Sequence, residues 1–403
     1  MGLGLTSNKW ETFKLDEVYE IRSGLSKKRD QFGFGYNFLT FKEVFNNYFL
    51  PNELTELVNS TEQEREKASI MRGDVFLTRT SETQDELGMS SVALKDYPNA
   101  TFNGFTKRLR PKGNIELLPE YAGYYFRSPK FRNEVTSLAT LTTRASLNNT
   151  MLSSLTIDVP PVQQQKEIAN ILSSLDDKIE NNNAIIANLE EQAQAVFKET
   201  LNNYNFTQVK LNTLIDIYSG FAFKSKDYLP GGTHKIITIK NIEDGKINET
   251  NVNKIDNIPD NIKDEAFLRI GDIVFSMTGN VGRTALIYKK GLLLNQRVGK
   301  ILFDNTDYIS FYYFLFRNIS FKQRLIDLAH GTAQANLGKM DTLNLEIPYN
   351  KKAMANFSDI FNPVVNKIIN LMRQNDKLIE VRETLLPKLM SGEIQVGEAI
   401  EVE

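Results

Sequence analysis

The sequence predicts an α/β (mixed α+β) protein. It has two similar globular domains separated by two long antiparallel coiled-coil helices, pseudo-two-fold symmetric. Three observations predict this. The chain repeats its landmarks at an offset near 196 residues (14 to 210), each copy mixes short strand signals with a helical stretch, and each copy runs into an apolar stripe of alternating four- and three-residue spacing. The boundaries that follow are 1–158 for the first domain, 159–203 for the first helix, 204–348 for the second domain, 349–390 for the second helix and 391–403 for a tail.

Taken along the chain, the first landmark is Lys14-Leu15-Asp16 with Ser23-Gly24, which returns as Lys210-Leu211-Asn212 with Ser219-Gly220. Ile70-Met71-Arg72-Gly73-Asp74-Val75-Phe76 returns as Leu268-Arg269-Ile270-Gly271-Asp272-Ile273-Val274-Phe275, a hydrophobic run reached through a Gly-Asp turn, as strands commonly begin. Thr142-Thr143-Arg144-Ala145-Ser146-Leu147 matches Thr332-Ala333-Gln334-Ala335-Asn336-Leu337, and Ile157-Asp158-Val159-Pro160 matches Leu345-Glu346-Ile347-Pro348. The offset drifts from 196 through 198 and 190 to 188, so the copies share a framework and differ by insertions between its landmarks. Strands are expected at Lys235 to Ile239, Asp272 to Met277 and Lys300 to Phe303, and single helical stretches at Tyr121 to Leu138 and Tyr308 to Ala329. The aromatic clusters in those stretches (Tyr121, Tyr124, Tyr125, Phe126; Phe311, Tyr312, Tyr313, Phe314) fall at helical spacing and read as core.

The long helices carry the clearest periodicity. Ile168, Leu172, Leu175, Ile179, Asn182, Ile186, Leu189, Ala193 and Val196 form one seam, and Phe357, Phe361, Val364, Ile368, Leu371, Asn375, Leu378, Arg382 and Leu385 form the other. Each has one Asn near its middle, which either fixes register from a buried position or sits at a hydrated edge. Pro160-Pro161 marks the start of the first helix. Asn362-Pro363 reads as an N-cap with Pro at the first helical position or, because the stripe begins earlier, as a kink. A helix from Val162 to about Leu201 would span roughly 60 Å. In the tail, Glu393 to Glu403 is acidic, and the alternation of Ile394 and Val396 suggests a strand that completes the first domain.

Composition bounds the function. The chain of 403 residues has 48 basic and 50 acidic side chains, no cysteine and two histidines, with 41% apolar and 24% charged residues. Those proportions exclude disordered and collagen-like classes. Without cysteine there is no disulfide framework, thiolate metal site or cysteine nucleophile, and the distant His234 and His330 do not make a metal cluster. No stretch approaches a membrane span, and Met1 to Lys14 lacks an apolar leader core, so cytoplasmic location is expected. Residues 1–155 contain 20 basic and 19 acidic groups and residues 205–350 contain 18 and 15, whereas residues 156–204 contain 3 and 8. The first helix is therefore acidic between two slightly basic domains. No strongly basic patch stands out to hold nucleic acid unaided at high salt.

Together, the duplicated architecture, Pro160-Pro161-Val162-Gln163-Gln164-Gln165-Lys166-Glu167-Ile168 at the first helix start and Leu386-Pro387-Lys388-Leu389-Met390-Ser391-Gly392-Glu393-Ile394 at the second helix end resemble the specificity subunits of type I restriction-modification systems. The resemblance covers essentially the whole chain. Ile347-Pro348-Tyr349-Asn350, at the second helix start, departs from the first by lacking the Pro-Pro and the glutamines. The resemblance implies that the globular domains are target recognition domains, each reading one half of a split site in double-stranded DNA. It implies that the helices act as spacer and dock for two modification (methyltransferase) subunits, with restriction (motor-nuclease) subunits joining for cleavage. It also implies no cofactor in this chain: S-adenosylmethionine belongs to the modification subunit, and ATP and Mg to the restriction subunit.

Base reading needs paired donors and acceptors, chiefly Arg or Lys for guanine and Asn or Gln for adenine, while any cation or backbone donor can hold phosphate. Candidates after the Ser-Gly landmarks are Lys27, Lys28 and Arg29, with Lys224 and Lys226 in the second copy. A polar segment between helix and strand supplies Thr142, Thr143, Arg144 and Asn148, matched by Thr332, Gln334 and Asn336. Beyond the Gly-Asp strands lie Arg79 with Thr80, and Thr278, Asn280 and Arg283. For the helix spacer the candidates are Leu172, Leu175, Ile179, Asn182, Ile186, Leu189, Val364, Ile368, Leu371, Asn375 and Leu378. Catalytic and metal residues are expected to be absent. The chain lacks an Asn/Asp-Pro-Pro-aromatic amine-holding loop, Gly279 to Thr284 lacks phosphate-loop spacing, and Asp260, Asp264 and Glu265 read as acidic surface turns. The alternative is a coiled-coil protein-protein adaptor without sequence-specific DNA binding.

Overall fold

The computed structural model describes residues 10–83, 86–138, 145–303, 305–331 and 335–396. The chain divides into two compact units: residues 1–177 with 379–403, and residues 178–378. Each long helix therefore contributes to both.

In the first unit the principal sheet is antiparallel, with strand order Tyr19–Ser23, Thr106–Pro111, Val75–Thr78, Ser90–Val92. In the second unit the order is the same: Asp216–Ser219, Val298–Leu302, Ile273–Ser276, Thr284–Leu286. Each unit adds a smaller sheet containing one parallel pairing, Phe32–Leu39 with Thr101–Phe102 and His234–Ile237 with Leu292–Leu294. Each also pairs its first and last strands, Glu11–Lys14 with Thr156–Val159 and Thr207–Lys210 with Glu346–Tyr349. That closing strand leads directly into a long helix, Val162–Asn203 in one case and Lys351–Met390 in the other.

The repeated landmarks mark places where the backbone leaves no choice of residue. A Cβ on Gly24 would lie 2.3 Å from the Phe102 carbonyl oxygen, and one on Gly220 would lie 2.4 Å from that of Leu294. Those carbonyls accept from Leu25 and Phe221 N–H, both at 2.8 Å. Gly73 and Gly271 stand at φ +89 and +95, a region L side chains rarely adopt. The adjoining Asp74 and Asp272 fold back onto the N–H of Met71 (2.8 Å) and Arg269 (2.7 Å) and pair with a cation from the neighbouring strand, Arg110 or Lys300.

The helical stretches differ from expectation, since each is two helices. Pro119–Tyr125 and Pro129–Leu138 break at Ser128, ahead of a proline, and Ile309–Arg317 and Ile319–Asp327 break at Asn318, whose side chain accepts from Ser320 and Phe321 N–H. Their aromatic clusters are core: Tyr121, Tyr124, Tyr125 and Phe126, and Phe311, Tyr312, Tyr313 and Phe314, are all buried.

The second long helix begins at Lys351, not at Pro363. Asn350 caps it by accepting from Ala353 N–H at 3.0 Å, while Asn362 is occupied with Ser310 N–H and the Asp307 carbonyl. In the second unit the two helices run antiparallel, Asn182 bonding Asn375 and Phe197 packing on Phe357. Of the expected seam there, Ile368, Leu371 and Asn375 are buried, while Ile179, Ile186, Leu189, Val364 and Leu378 are half-buried. Val196 is exposed, and Phe197, Val365 and Ile369 are buried in its region of the stripe. A helix of 3.6 residues per turn drifts from a strict heptad by about 20° per repeat. Near the globular domain the buried face has turned toward Phe311 and Phe314. In the first unit Leu172 and Ile168 lie in one core cluster with Leu386, Leu389 and Met390, and Leu175 is half-buried. The tail forms no strand over 391–396; it is a turn whose Ile394 and Val396 pack on that core, with the Ile394 N–H on the Lys388 carbonyl.

Candidate nucleic-acid interface

Both units bring the end of the Gly-Asp strand against the polar segment. In the first, Thr80–Ser81 pairs with Ala145–Ser146, and the Leu147 N–H bonds the Arg79 carbonyl at 2.8 Å. In the second, Thr278 bridges Asn336, whose amide oxygen accepts from the Thr278 hydroxyl, and the Leu337 N–H bonds the Met277 carbonyl at 2.7 Å. Sequence separation had kept these groups apart; antiparallel pairing joins them. Thr143, Arg144, Thr332 and Gln334 lie outside the described residues.

The candidates differ in how free they are. Lys28 and Arg29 are exposed, as are Lys224 and Lys226, and none has an ion-pair partner among the described residues. Lys27 is a correction to the reading of that run as a set of loop cations. Its side chain is 8% exposed and its ammonium is paired with Glu64 on a neighbouring helix. Asn148 likewise has a local role, accepting from Met151 N–H as the N-cap of Asn149–Ser154. Arg283 is half-buried, and the Asn280 amide oxygen, in the orientation that satisfies both groups, accepts from both its terminal nitrogens at 3.2 Å. Asn336 is exposed, and its backbone closes a turn with His330 in both directions at 2.9 Å. Asp264 is exposed and pairs with Arg269 at 2.6 Å, a surface ion pair.

Beside the first of these strand ends lies a hollow of about 350 Å³, lined by Phe41, Phe45, Thr80, Ser81, Glu86 and Phe105. Phe105 is 60% exposed there. Lys107 and Asn149 do not stand out by spacing in the sequence. Lys107 lies on the strand facing the Ser23 landmark and donates to the Ser23 hydroxyl and the Asn149 amide oxygen, at 2.8 and 2.7 Å. The alternating Lys107-Arg108-Leu109-Arg110 was the available signal, and its pairing with Ser23 was not.

The helix starts are anchored within each unit. Gln165 is fully buried, donating to the Glu116 and Pro160 carbonyls and accepting from Leu118 N–H, while Gln164 accepts from the Trp10 indole. At the second helix start the Asn350 cap on Ala353 N–H does this work, while farther along the first helix Glu190 takes the Tyr313 hydroxyl and Arg317 and Gln194 donates to the Phe314 carbonyl. Thus two of the three glutamines absent from the second helix start serve packing inside the chain. No helix among the described residues is long and apolar enough to cross a membrane.

Residues 7–191 and 203–381 each match the family described as Type I restriction modification DNA specificity domain. The chain belongs to the type I restriction-modification specificity family. It is 23% identical over 433 residues to the type I restriction enzyme MjaIX specificity subunit of Methanocaldococcus jannaschii, covering 98% of this chain and 96% of that protein. It is 26% identical over 268 residues to the MjaVIII specificity subunit of the same organism, covering 60% of this chain and 62% of the relative's length. Its fold is like that of the S subunit of a type I restriction-modification system from M. genitalium, with a TM-score of 0.55 at 16% identity over 96% of this chain and 98% of that one. Both family matches contain a complete principal sheet, so the internal repeat is a repeat of specificity domains.

Proposed function

We propose that this chain is the DNA sequence-recognition subunit of a type I restriction-modification enzyme. Each globular domain reads one half of a bipartite site, and the long helices set the interval and dock two modification (methyltransferase) subunits. The observation that carries this reading is the double specificity-domain match, one for each copy of the framework. The exposed Lys28, Arg29, Lys224 and Lys226 are suited to phosphates, and the strand-end segments with Arg79, Asn280, Arg283 and Asn336 to base edges. Thr143, Arg144, Thr332 and Gln334, which adjoin those segments in sequence, are proposed to read bases as well. The chain itself is non-catalytic in this account: the modification subunits hold S-adenosylmethionine, and restriction subunits bring ATP and Mg.

Footprinting of the complex of this chain with its modification subunits tests the proposal. A protected, sequence-selective site in two parts is expected. Protection without sequence preference, or none, would leave the adaptor reading in its place. Methyl transfer from S-adenosylmethionine to DNA by the purified chain alone would contradict the non-catalytic role.

A further inference from the structure

The first unit holds two neighbouring cations with no counter-charge among the described residues. Lys107 lies directly opposite Ser23 on one neighbouring strand and Leu77 on the other. Arg79 follows Leu77 by two residues, and its N–H pairs with the Phe105 carbonyl at 2.9 Å, so it falls on the same sheet face, diagonal to Lys107. Lys107 is 7% exposed, and two of its three donors are taken by the neutral groups of Ser23 and Asn149. No described carboxylate pairs with either cation, and the Arg79 Nε is buried without a hydrogen-bond partner. Burial and the nearby guanidinium both push the Lys107 ammonium below its ordinary pKa. Of the other buried basic groups here, Lys27 has Glu64, Arg110 has Asp74 and Lys300 has Asp272, while Arg108 has no carboxylate and donates to the Lys67 and Ser69 carbonyls. Two like charges held side by side, one on neutral side chains and the other with an unpartnered nitrogen, are unfavourable for folding, so this pair is better explained by what it binds.

We propose that Lys107 and Arg79 are base-reading residues of the first unit, and that they take the O6 and N7 acceptors of a guanine in the major groove. This rests on the DNA-recognition reading above. Phosphates are served by long, exposed cations such as Lys28 and Arg29. A lysine held by two neutral acceptors with one donor left is aimed, and guanine offers the paired acceptors that Lys and Arg discriminate. The second unit shows that the framework does not require the pair. Its counterpart of Arg79 is Met277, whose carbonyl likewise accepts from the following segment, and its counterpart of Lys107 is Gly299, opposite Ser219. A side chain there would meet the Phe275 ring at 2.6 Å and the Met277 sulfur at 3.1 Å. Residues that differ this way within one scaffold are suited to giving two half-sites different sequences.

The test is the methylation motif produced by the full complex with modification subunits, mapped for wild type, Lys107→Met and Arg79→Met. The second variant places in the first unit the residue that the second unit already has. Loss of one base contact should lower methylation of the wild-type site by about 5- to 150-fold and remove the preference at one G·C position of one half-site. The other half-site should be unchanged. A uniform fall over all sites with the motif intact, together with a shallower salt dependence, would mean phosphate contact and overturn the proposal. Unchanged methylation in both variants would overturn it as well. A wild-type complex that yields no bipartite motif defeats the recognition reading and this pair with it, whereas a normal wild-type motif preserved in both variants defeats the pair alone.

Discussion

The pair of asparagines between the long helices provides a sharp test of how the seam in the second unit is held. Asn182 is fully buried and donates to the Asn375 amide oxygen at 2.8 Å and the Gln374 amide oxygen at 2.9 Å, while Asn375 donates to Asn183 at 2.9 Å. This decides between the two readings of the sequence: the asparagines are interior and mutually bonded. Asn182→Leu strands the Asn375 oxygen and should cost about 1–3 kcal/mol of local stability. Asn375→Leu should cost less, because Gln374 still takes the Asn182 amide. The double variant removes both polar groups, including the Asn182 oxygen that already lacks a partner, and should be as stable as wild type or more so. Hydrogen exchange of helix amides around 182 and 375 reads this opening directly. The first variant should exchange about 5- to 150-fold faster and the double variant at the wild-type rate or slower. Losses that simply add in the double variant would refute the claim that the bond between these residues holds the seam.

Other predictions follow from the framework. Gly24→Ala should destabilise the first unit and Gly220→Ala the second, by about 1–3 kcal/mol each, since either Cβ collides with backbone carbonyls that cannot move independently; proteolysis that maps which unit opens would check this, and an unchanged pattern would contradict it. Gln165→Ala removes three hydrogen bonds at the first helix start and should cost about 1–3 kcal/mol for each buried group left unpaired, seen as lost exchange protection at Leu118. Asp244 provides a pH test. Burial favours its neutral form, but the hydrogen bond from Lys322, the charges of Lys322 and Arg317 and the Thr284 N–H outweigh that and lower its pKa. With the folded value below the unfolded value of about 3.9, its contribution is present above that pH and is lost as pH falls through the folded pKa. Asp244→Asn should therefore weaken the second unit at neutral pH and flatten its acid unfolding; an unchanged acid limb would contradict the assignment.

The repeat, the strand starts and the helix seams were legible because each depends on local chemistry. Gly73 and Gly271 permit a left-handed turn, Gly24 and Gly220 permit close approach of two backbones, and Asp74 and Asp272 bond their own turns. The helix breaks at Ser128-Pro129 and Asn318 were present as capping and proline signals, but continuous aromatic spacing across them obscured the interruption. Val196 was placed by a strict heptad, which loses registration once the helix packs on a globular core rather than on its partner. The site was legible only as segments. The pairing of Lys27 with Glu64 across 37 residues, and the meeting of Ser23, Lys107 and Asn149, arise from tertiary folding that spacing does not encode.

The central claim is that each domain reads its own half of one DNA site. A genome-wide map of methylated adenines, made in a methylation-null host expressing this chain with its modification subunit, tests it most directly. The account predicts a two-part motif with a fixed gap, of which one part changes when residues 10–158 are exchanged for those of a relative and the other part when residues 207–349 are exchanged. A single continuous motif, or an assembled complex whose motif survives both exchanges, would contradict it.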